Sequence, residues 1–265
     1  MATTSDTSKT TAARKSRRLA FKPVNSTRPA EAIQAQIRKL IASHKLKQGD
    51  RLPTERELSE QLEVSRNTVR QAIRSLADGG LLEVKKGATG GAFIRGGGGD
   101  AVRAGMVDLY SLGAIQPQHL TETRLLIGVE VVRLACERGS EEELVELEKN
   151  VEEAQAAAKA GDAPRRTAIN LEFYRILARM THNPLLVIVT DAVMAITLKF
   201  VEDFMRTSNI TVMPFRRELL VLLRKRDAEA SATLMRDHLL RLQKIYLDEV
   251  AVRSKASSKA GKNGG

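Results

Sequence analysis

The sequence predicts a mainly α-helical protein in two parts: a small N-terminal unit of three helices and a hairpin, then an all-helical bundle of six or seven helices. Three observations predict it. Apolar residues recur at three- and four-residue spacing through most of the chain. One short β-patterned stretch, "LLEVKKGATGGAFI", interrupts them, and the positive charge is gathered toward the N-terminal third. At 265 residues and 42% hydrophobic, the chain is long and apolar enough to build two modest cores.

Residues 1–28 are rich in Thr, Ser, Lys and Arg and should form a disordered basic tail, because so few apolar groups cannot offset the entropy of ordering. The cluster Arg14, Lys15, Arg17, Arg18 either adds phosphate contacts or serves solubility. From Pro29, the spacing of Ile33, Ile37, Leu40 and Ile41 predicts a helix ending before "KLKQGDRLP". Thr54 with Glu57 three residues on reads as a capping box, opening a helix over 54–62 with Leu58 and Leu62 inward. Ser65 is the N-cap of a helix over 66–78, striped by Val69, Ile73 and Leu76 and stopped at Gly79-Gly80. Two strand-like runs around a glycine-rich turn complete the unit as a hairpin. Three helices and a hairpin make a winged helix-turn-helix over 29–95.

Glycines 96–99 break all periodicity, so 96–100 reads as a linker. Residues 101–253 are helix-patterned throughout, in segments near 101–112, 117–138, 140–158, 163–181, 184–207, 213–226 and 227–252, and should pack as one bundle. Residues 254–265 repeat the composition of the N-terminal tail and are expected to be disordered. No run approaches the length of a membrane span and the N-terminus lacks the apolar core of a secretory signal, so the expected location is the cytoplasm. The lone Cys136 permits neither an intrachain disulfide nor a cysteine metal cluster and reads as core packing.

Of the net charge of +11, residues 1–28 carry +6, 29–99 carry +4, 100–253 carry −2 and 254–265 carry +3. A cationic end on a neutral body suits binding to nucleic acid. The helix over 66–78 has the right surface for it. Arg66, Asn67, Thr68 and Arg70 lie on its first turn and a half, clear of the apolar stripe. Arginine pairs bidentately with guanine, asparagine with adenine, and threonine touches a thymine methyl or a phosphate. Arg56 would meet the backbone or groove edge, and Lys85, Lys86 and Gly87 would form a wing tip. An ordinary solvated helix face is the plainer alternative, and the charge asymmetry and the wing weigh against it.

The stretch "LPTERELSEQLEVSRNTVRQAIRSLADGGLLEVKKGATGGAFI" resembles the DNA-binding domain of the GntR family of bacterial regulators, across residues 29–95. The resemblance assigns DNA contact to Arg56, Arg66, Arg70 and the Lys86–Gly87 wing tip, with Asn67 and Thr68 between the two arginines. Glu63 stands where the family has a glycine, which questions the geometry of that turn.

The helical part, through "LTETRLLIGVEVVRLAC", "NLEFYRILARMTHNPLL" and "RKRDAEASATLMRDHLLRL", resembles the C-terminal FCD domain of the FadR-type branch. Many members hold a divalent metal with an Asp, a His one turn on, and two further His. Here Asn170, Tyr174 and Arg216 stand at three of those positions and only His238 remains, so no metal and no other cofactor is expected. If the family's bundle holds, Asn170, Tyr174, Arg216, His238 and Arg124 converge on a central cavity suited to an organic anion such as a carboxylate or acyl-coenzyme A. Alternatively Arg216 points to solvent beside Arg217, the interior is packed, and His238 is a satisfied core histidine.

The function implied is a sequence-specific regulator, in the family's usual arrangement a repressor released by its effector. It would act as a homodimer on double-stranded operator DNA with a short palindrome. No catalytic residue is expected, since neither a phosphate-cradling loop nor a nucleophile with a visible base is present. With aromatic residues at 3% and no Trp, stacking platforms for single-stranded RNA are scarce. A metal-dependent member of the same family and a non-sequence-specific structural nucleic-acid binder remain the alternatives.

Overall fold

In the computed structural model, which describes residues 21–87, 90–96, 99–204 and 212–262, the chain separates into two compact units, one up to Gly97 and one from Gly98. The basic cluster at 14–18, linker positions 97–98, positions 205–207 and the last three residues lie outside the described residues.

In the first unit, α1 (Pro29–Ala42) starts on a proline, whose missing N–H is one of the donors that a first turn leaves unpaired anyway. α2 (Glu55–Leu62) opens on the capping box: the Thr54 side chain accepts from the Glu57 N–H, and the Glu57 carboxylate accepts from the Thr54 N–H at 2.7 Å. α3 (Arg66–Asp78) begins under Ser65, whose hydroxyl accepts from the Thr68 N–H at 3.1 Å. It stops where Gly80 takes φ +73° and the Leu81 N–H returns to the Leu76 carbonyl. The strands β1 (Leu82–Lys85) and β2 (Gly91–Ile94) pair antiparallel, Leu82 opposite Ile94. On the other side of β2, the Gly49 N–H reaches the Ile94 carbonyl, the Ile94 N–H the Asp50 carbonyl and the Leu52 N–H the Ala92 carbonyl. Residues 49–52 thus add a short third rung that the periodicity does not reveal. Ile33, Ile37, Leu58, Leu62, Val69, Leu76 and Leu82 make the core, each stabilising by about 1.5–3 kcal/mol on burial.

Two expectations about this unit are corrected or answered. The N-terminal tail is not disordered up to residue 28. Phe21 is buried in the core, the Val24 N–H donates to the Leu62 carbonyl, and the Gln36 side chain bridges both backbone groups of Lys22. One aromatic anchor and paired backbone groups offset the ordering of a segment whose average composition is that of a coil. The turn questioned at Glu63 keeps its left-handed geometry, at φ +56°, ψ +41°, although a Cβ disfavours it. Glu63→Gly should therefore raise the unit's stability by about 1 kcal/mol, measured by urea unfolding; a decrease would show that the Glu63 side chain holds the turn.

The second unit is built from α4 (Asp100–Ser111), α5 (Pro117–Arg138), α6 (Glu141–Lys159), α7 (Ala163–Met180), α8 (Pro184–Phe204), α9 (Met213–Arg224) and α10 (Ala228–Lys262). α4 starts at the last residue of the expected linker. α10 runs through most of the tail expected to be disordered, where alanines and lysines of high helix propensity extend it. The core is one cluster around Phe173, Phe200, Leu144, Leu147, Leu177 and Met235. Cys136 lies in it fully buried, and burial pushes its thiol up.

The expectation of no span-length apolar run also needs correction. Residues 184–203 form one helix long and apolar enough to cross a membrane by length and composition. α8 instead packs against α4, α5 and α7 as a core helix, burying Val193, Met194, Ile196 and Phe200 and pairing Asp191 with Arg175 at 2.6 Å. A helix covered on several sides has no need of a polar face.

Candidate DNA-binding face and ligand cavity

The face of α3 opposite its buried stripe presents Arg66, Asn67, Arg70, Gln71 and Arg74, all exposed. Asn67, Arg70, Gln71 and Arg74 line one shallow groove. Thr68 is half-buried and tied back to the cap, its hydroxyl 2.8 Å from that of Ser65. Arg70 is held in a fork by Glu55 at the start of α2, with Nε 3.2 and 3.1 Å from the two carboxylate oxygens and Nη2 at 2.8 Å. This pair raises the Arg70 pKa, through the hydrogen bonds first and the charge second. Arg56 is exposed on α2 with Glu60 at 3.9 Å. Lys86 and Gly87 sit at the exposed wing tip, where Gly87 takes φ +104°, a conformation that side chains resist. Lys85 lies over the Phe93 ring at 5.3 Å and pairs with Glu83. The surface is therefore a cationic, donor-rich helix face of the kind that enters a major groove, in the same unit as a basic hairpin tip.

In the helical unit a cavity of about 480 Å³ opens between α5, α6, α7, α8, α9 and α10. Arg124, Asn170, Tyr174 and Arg216 all line it. Arg216 does not point to solvent: it is 2% exposed, while its neighbour Arg217 is exposed and bonded to Gln155. Its guanidinium lies 4.3 Å from the centre of the Phe173 ring. Arg124, 5% exposed, lies between Tyr174 and Tyr246 at 5.8 and 5.6 Å. Arg124 Nε, Arg216 Nη1 and Asn170 Oδ1 are buried without a partner. Burial pulls the Arg216 pKa down to about 10, a penalty on the charged form on the order of 3 kcal/mol.

His238 does not join them. It packs beside the cavity with its ring stacked on Phe215 at 3.8 Å, and its Nε2 has no partner. The set does not fit a divalent cation: an amide, a phenol and a buried guanidinium stand where anionic and imidazole ligands are needed. Among the described residues, no three of His, Cys, Asp or Glu come together as a metal cluster.

Two family models match the chain, together well over half of it: "Bacterial regulatory proteins, gntR family" over residues 29–94 and "FCD domain" over 119–241. The chain belongs to the GntR family. Among GntR relatives, the Uxu operon transcriptional regulator of Escherichia coli is 30% identical over 165 residues, covering 62% of each protein. The HTH-type transcriptional regulator YcbG of Bacillus subtilis is 27% identical over 82% of this chain and 89% of its own length. The HTH-type transcriptional repressor NanR of Salmonella newport is 26% identical over 64% and 65%. The match thus spans less than two thirds of the Uxu and NanR regulators. A solved structure, Streptococcus agalactiae GntR, superposes with a TM-score of 0.59 at 26% identity, over 81% of this chain and 99% of that one. The GntR family and these relatives are transcriptional regulators, not enzymes.

In this GntR-type head, sequence reasoning missed Arg74 and Glu55. Arg74 was open to it, being one turn beyond Arg70 on the same face; Glu55 was not, because its partner lies fifteen residues away on another helix. In the FCD domain it missed Arg166, which lines the cavity and stands one turn before Asn170 and two before Tyr174.

The buried His238 has a measurable consequence. Burial, then the charges of Arg124, Arg241 and Arg216, hold its pKa at about 3 against an ordinary 6.5. Between those values the unfolded chain takes up a proton that the folded chain does not, so stability falls as pH falls below 6.5. Against a His238→Asn variant, the wild type should lose about 1.4 kcal/mol per pH unit in that window, read by urea unfolding near neutrality and at about pH 5. An unchanged difference would mean that the ring titrates normally.

Proposed function

We propose that this chain is a transcription regulator of the GntR/FCD type that binds a short palindromic operator as a homodimer, and is a repressor released when an organic anion enters the helical cavity. The residues proposed to contact DNA are Arg56, Arg66, Asn67, Thr68, Arg70, Lys86 and Gly87, now with Arg74. Those proposed to contact the effector are Arg124, Asn170, Tyr174 and Arg216, with His238 behind them rather than in the cavity wall. The observation that carries the reading is that one chain holds both an exposed, donor-rich recognition-type helix and a buried cavity in which Arg124 Nε and Arg216 Nη1 are unpartnered. The first has the chemistry to read base edges, the second to take an anion through charge-assisted hydrogen bonds. A dimer follows from economy of recognition, since one such helix reads too few base pairs to be selective in a genome. A chain of this kind would work in the cytoplasm.

The test is fluorescence anisotropy with DNA from upstream of the chain's own gene, against a shuffled duplex of equal length, over a range of salt, with sedimentation of the free protein. A preference for the native sequence that is steeply salt-dependent, and a dimer in solution, are expected. Equal affinity for the shuffled duplex would replace the reading with a structural nucleic-acid binder. A monomer binding one operator tightly as a single copy would remove the dimer.

A further inference from the structure

We propose that the ligand of the helical cavity carries two negative charges on an otherwise apolar frame, as in a small dicarboxylate or a phosphate monoester. The inference rests on reading this cavity as the effector site.

Two of the three guanidiniums that line the cavity are held by rings, not by carboxylates. Arg124 lies between Tyr174 and Tyr246, and Arg216 over Phe173. A ring face attracts a cation without occupying its N–H groups, so Arg124 Nε and Arg216 Nη1 stay buried and free to donate. Among the described residues neither arginine has an ion-pair partner, and no Asp or Glu lines the cavity. Arg166 adds a third cation to the wall.

Both buried charges belong to one neighbourhood. Arg124 stacks on Tyr174, Arg216 feels the same residue electrostatically, and both lower the pKa of His238. Two groups of one small molecule can therefore meet both guanidiniums. A monoanion would leave one of the two without a counter-charge in a medium of low dielectric, which is costly; a dianion matches both. The rest of the wall points to an apolar frame. Leu171, Met194, Leu198, Val201, Met213 and Leu242 face the space, and the Thr197 hydroxyl is committed to the Val193 carbonyl at 2.8 Å. Asn170 Oδ1, buried without a partner, can accept from one donor on the ligand; a ligand carrying many hydroxyls would find few further partners and lose solvation on entry.

The test is calorimetric titration and thermal shift of the full-length protein with pairs that share a frame and differ in charge: isophthalate with benzoate, adipate with hexanoate, and phenyl phosphate with phenyl sulfate. A dianion binding about tenfold or more tighter than its paired monoanion is expected. In Arg124→Gln or Arg216→Gln that ratio should fall toward one through loss of dianion affinity, and Arg216→Met serves where a glutamine variant does not fold. Preference for the first two pairs marks a carboxylate ligand and preference for the third a phosphoryl one. Monoanions binding as tightly as their dianion partners would overturn the two-charge inference and leave the cavity an anion site. No binding by any of the six at millimolar concentration would overturn the anion reading, and this inference with it.

Discussion

The double variant Arg66→Ala, Arg70→Ala is expected to lose operator affinity by a hundredfold or more while remaining as stable as the wild type. Each side chain that reads a base contributes about 1–3 kcal/mol, so the two together contribute about 2–6 kcal/mol, and the middle of that range, about 4 kcal/mol, is well beyond a hundredfold. Stability should be unaffected because both side chains are exposed on the face of α3 away from Val69, Ala72, Ile73 and Leu76. Among the described residues the internal interaction removed is the Glu55–Arg70 pair, half-exposed on the arginine side, and such pairs contribute about 0–1 kcal/mol. Anisotropy on the operator, with urea unfolding as the control, separates the two effects. Binding at full affinity would remove α3 as the reading element. The Glu55 fork adds a finer expectation: with Glu55 holding Nε and Nη2, Arg70 approaches DNA in a fixed orientation, so the single Arg70→Ala should relax specificity at one base position.

Arg216→Met is expected to move two properties in opposite directions. The ligand-free protein should become more stable, by about 1–3 kcal/mol, because a buried guanidinium with no carboxylate partner is replaced by an apolar chain of similar length. The Phe173 contact, worth about 2 kcal/mol when desolvated, is lost in part and keeps the gain small. Effector affinity should fall about tenfold or more, since a charge-assisted hydrogen bond contributes roughly 1.5–3 kcal/mol, while operator affinity without effector stays unchanged. Thermal unfolding and effector titration on the same preparation read both. Destabilisation by several kcal/mol would mean that the guanidinium holds the bundle together, and would turn the cavity from a binding site into a structural one.

A designed loss of function and a designed gain of stability at one residue are what an unpaired buried charge in a binding site implies, and this is legible only in part from the sequence. Arg216 and Arg217 are identical in type and adjacent in the chain. Nothing local decides which faces inward; the packing of α9 against Phe173 does, and sends the other to Gln155. His238 shows the same limit from the other side. Its position in the sequence puts it with the cavity residues, but the parallel stack on Phe215 takes its ring out of the wall.

What the sequence determined by itself is everything encoded within a turn or two of helix. The capping box at Thr54 and Glu57, the Ser65 cap, the stop at Gly79-Gly80 and the apolar stripes are patterns of residues three to five apart, and the hairpin pairs residues six to twelve apart across a single turn, so local spacing carries them. Tertiary structure alone decided what depends on surfaces brought from afar: the docking of Phe21 and Val24 onto the first unit, the rung at 49–52, the Glu55 fork on Arg70, and the ring-clamped pair Arg124 and Arg216. The physical reason is that burial is a property of two surfaces. A sequence names the groups on each, but their free energies of desolvation and pairing are set only when the second surface arrives.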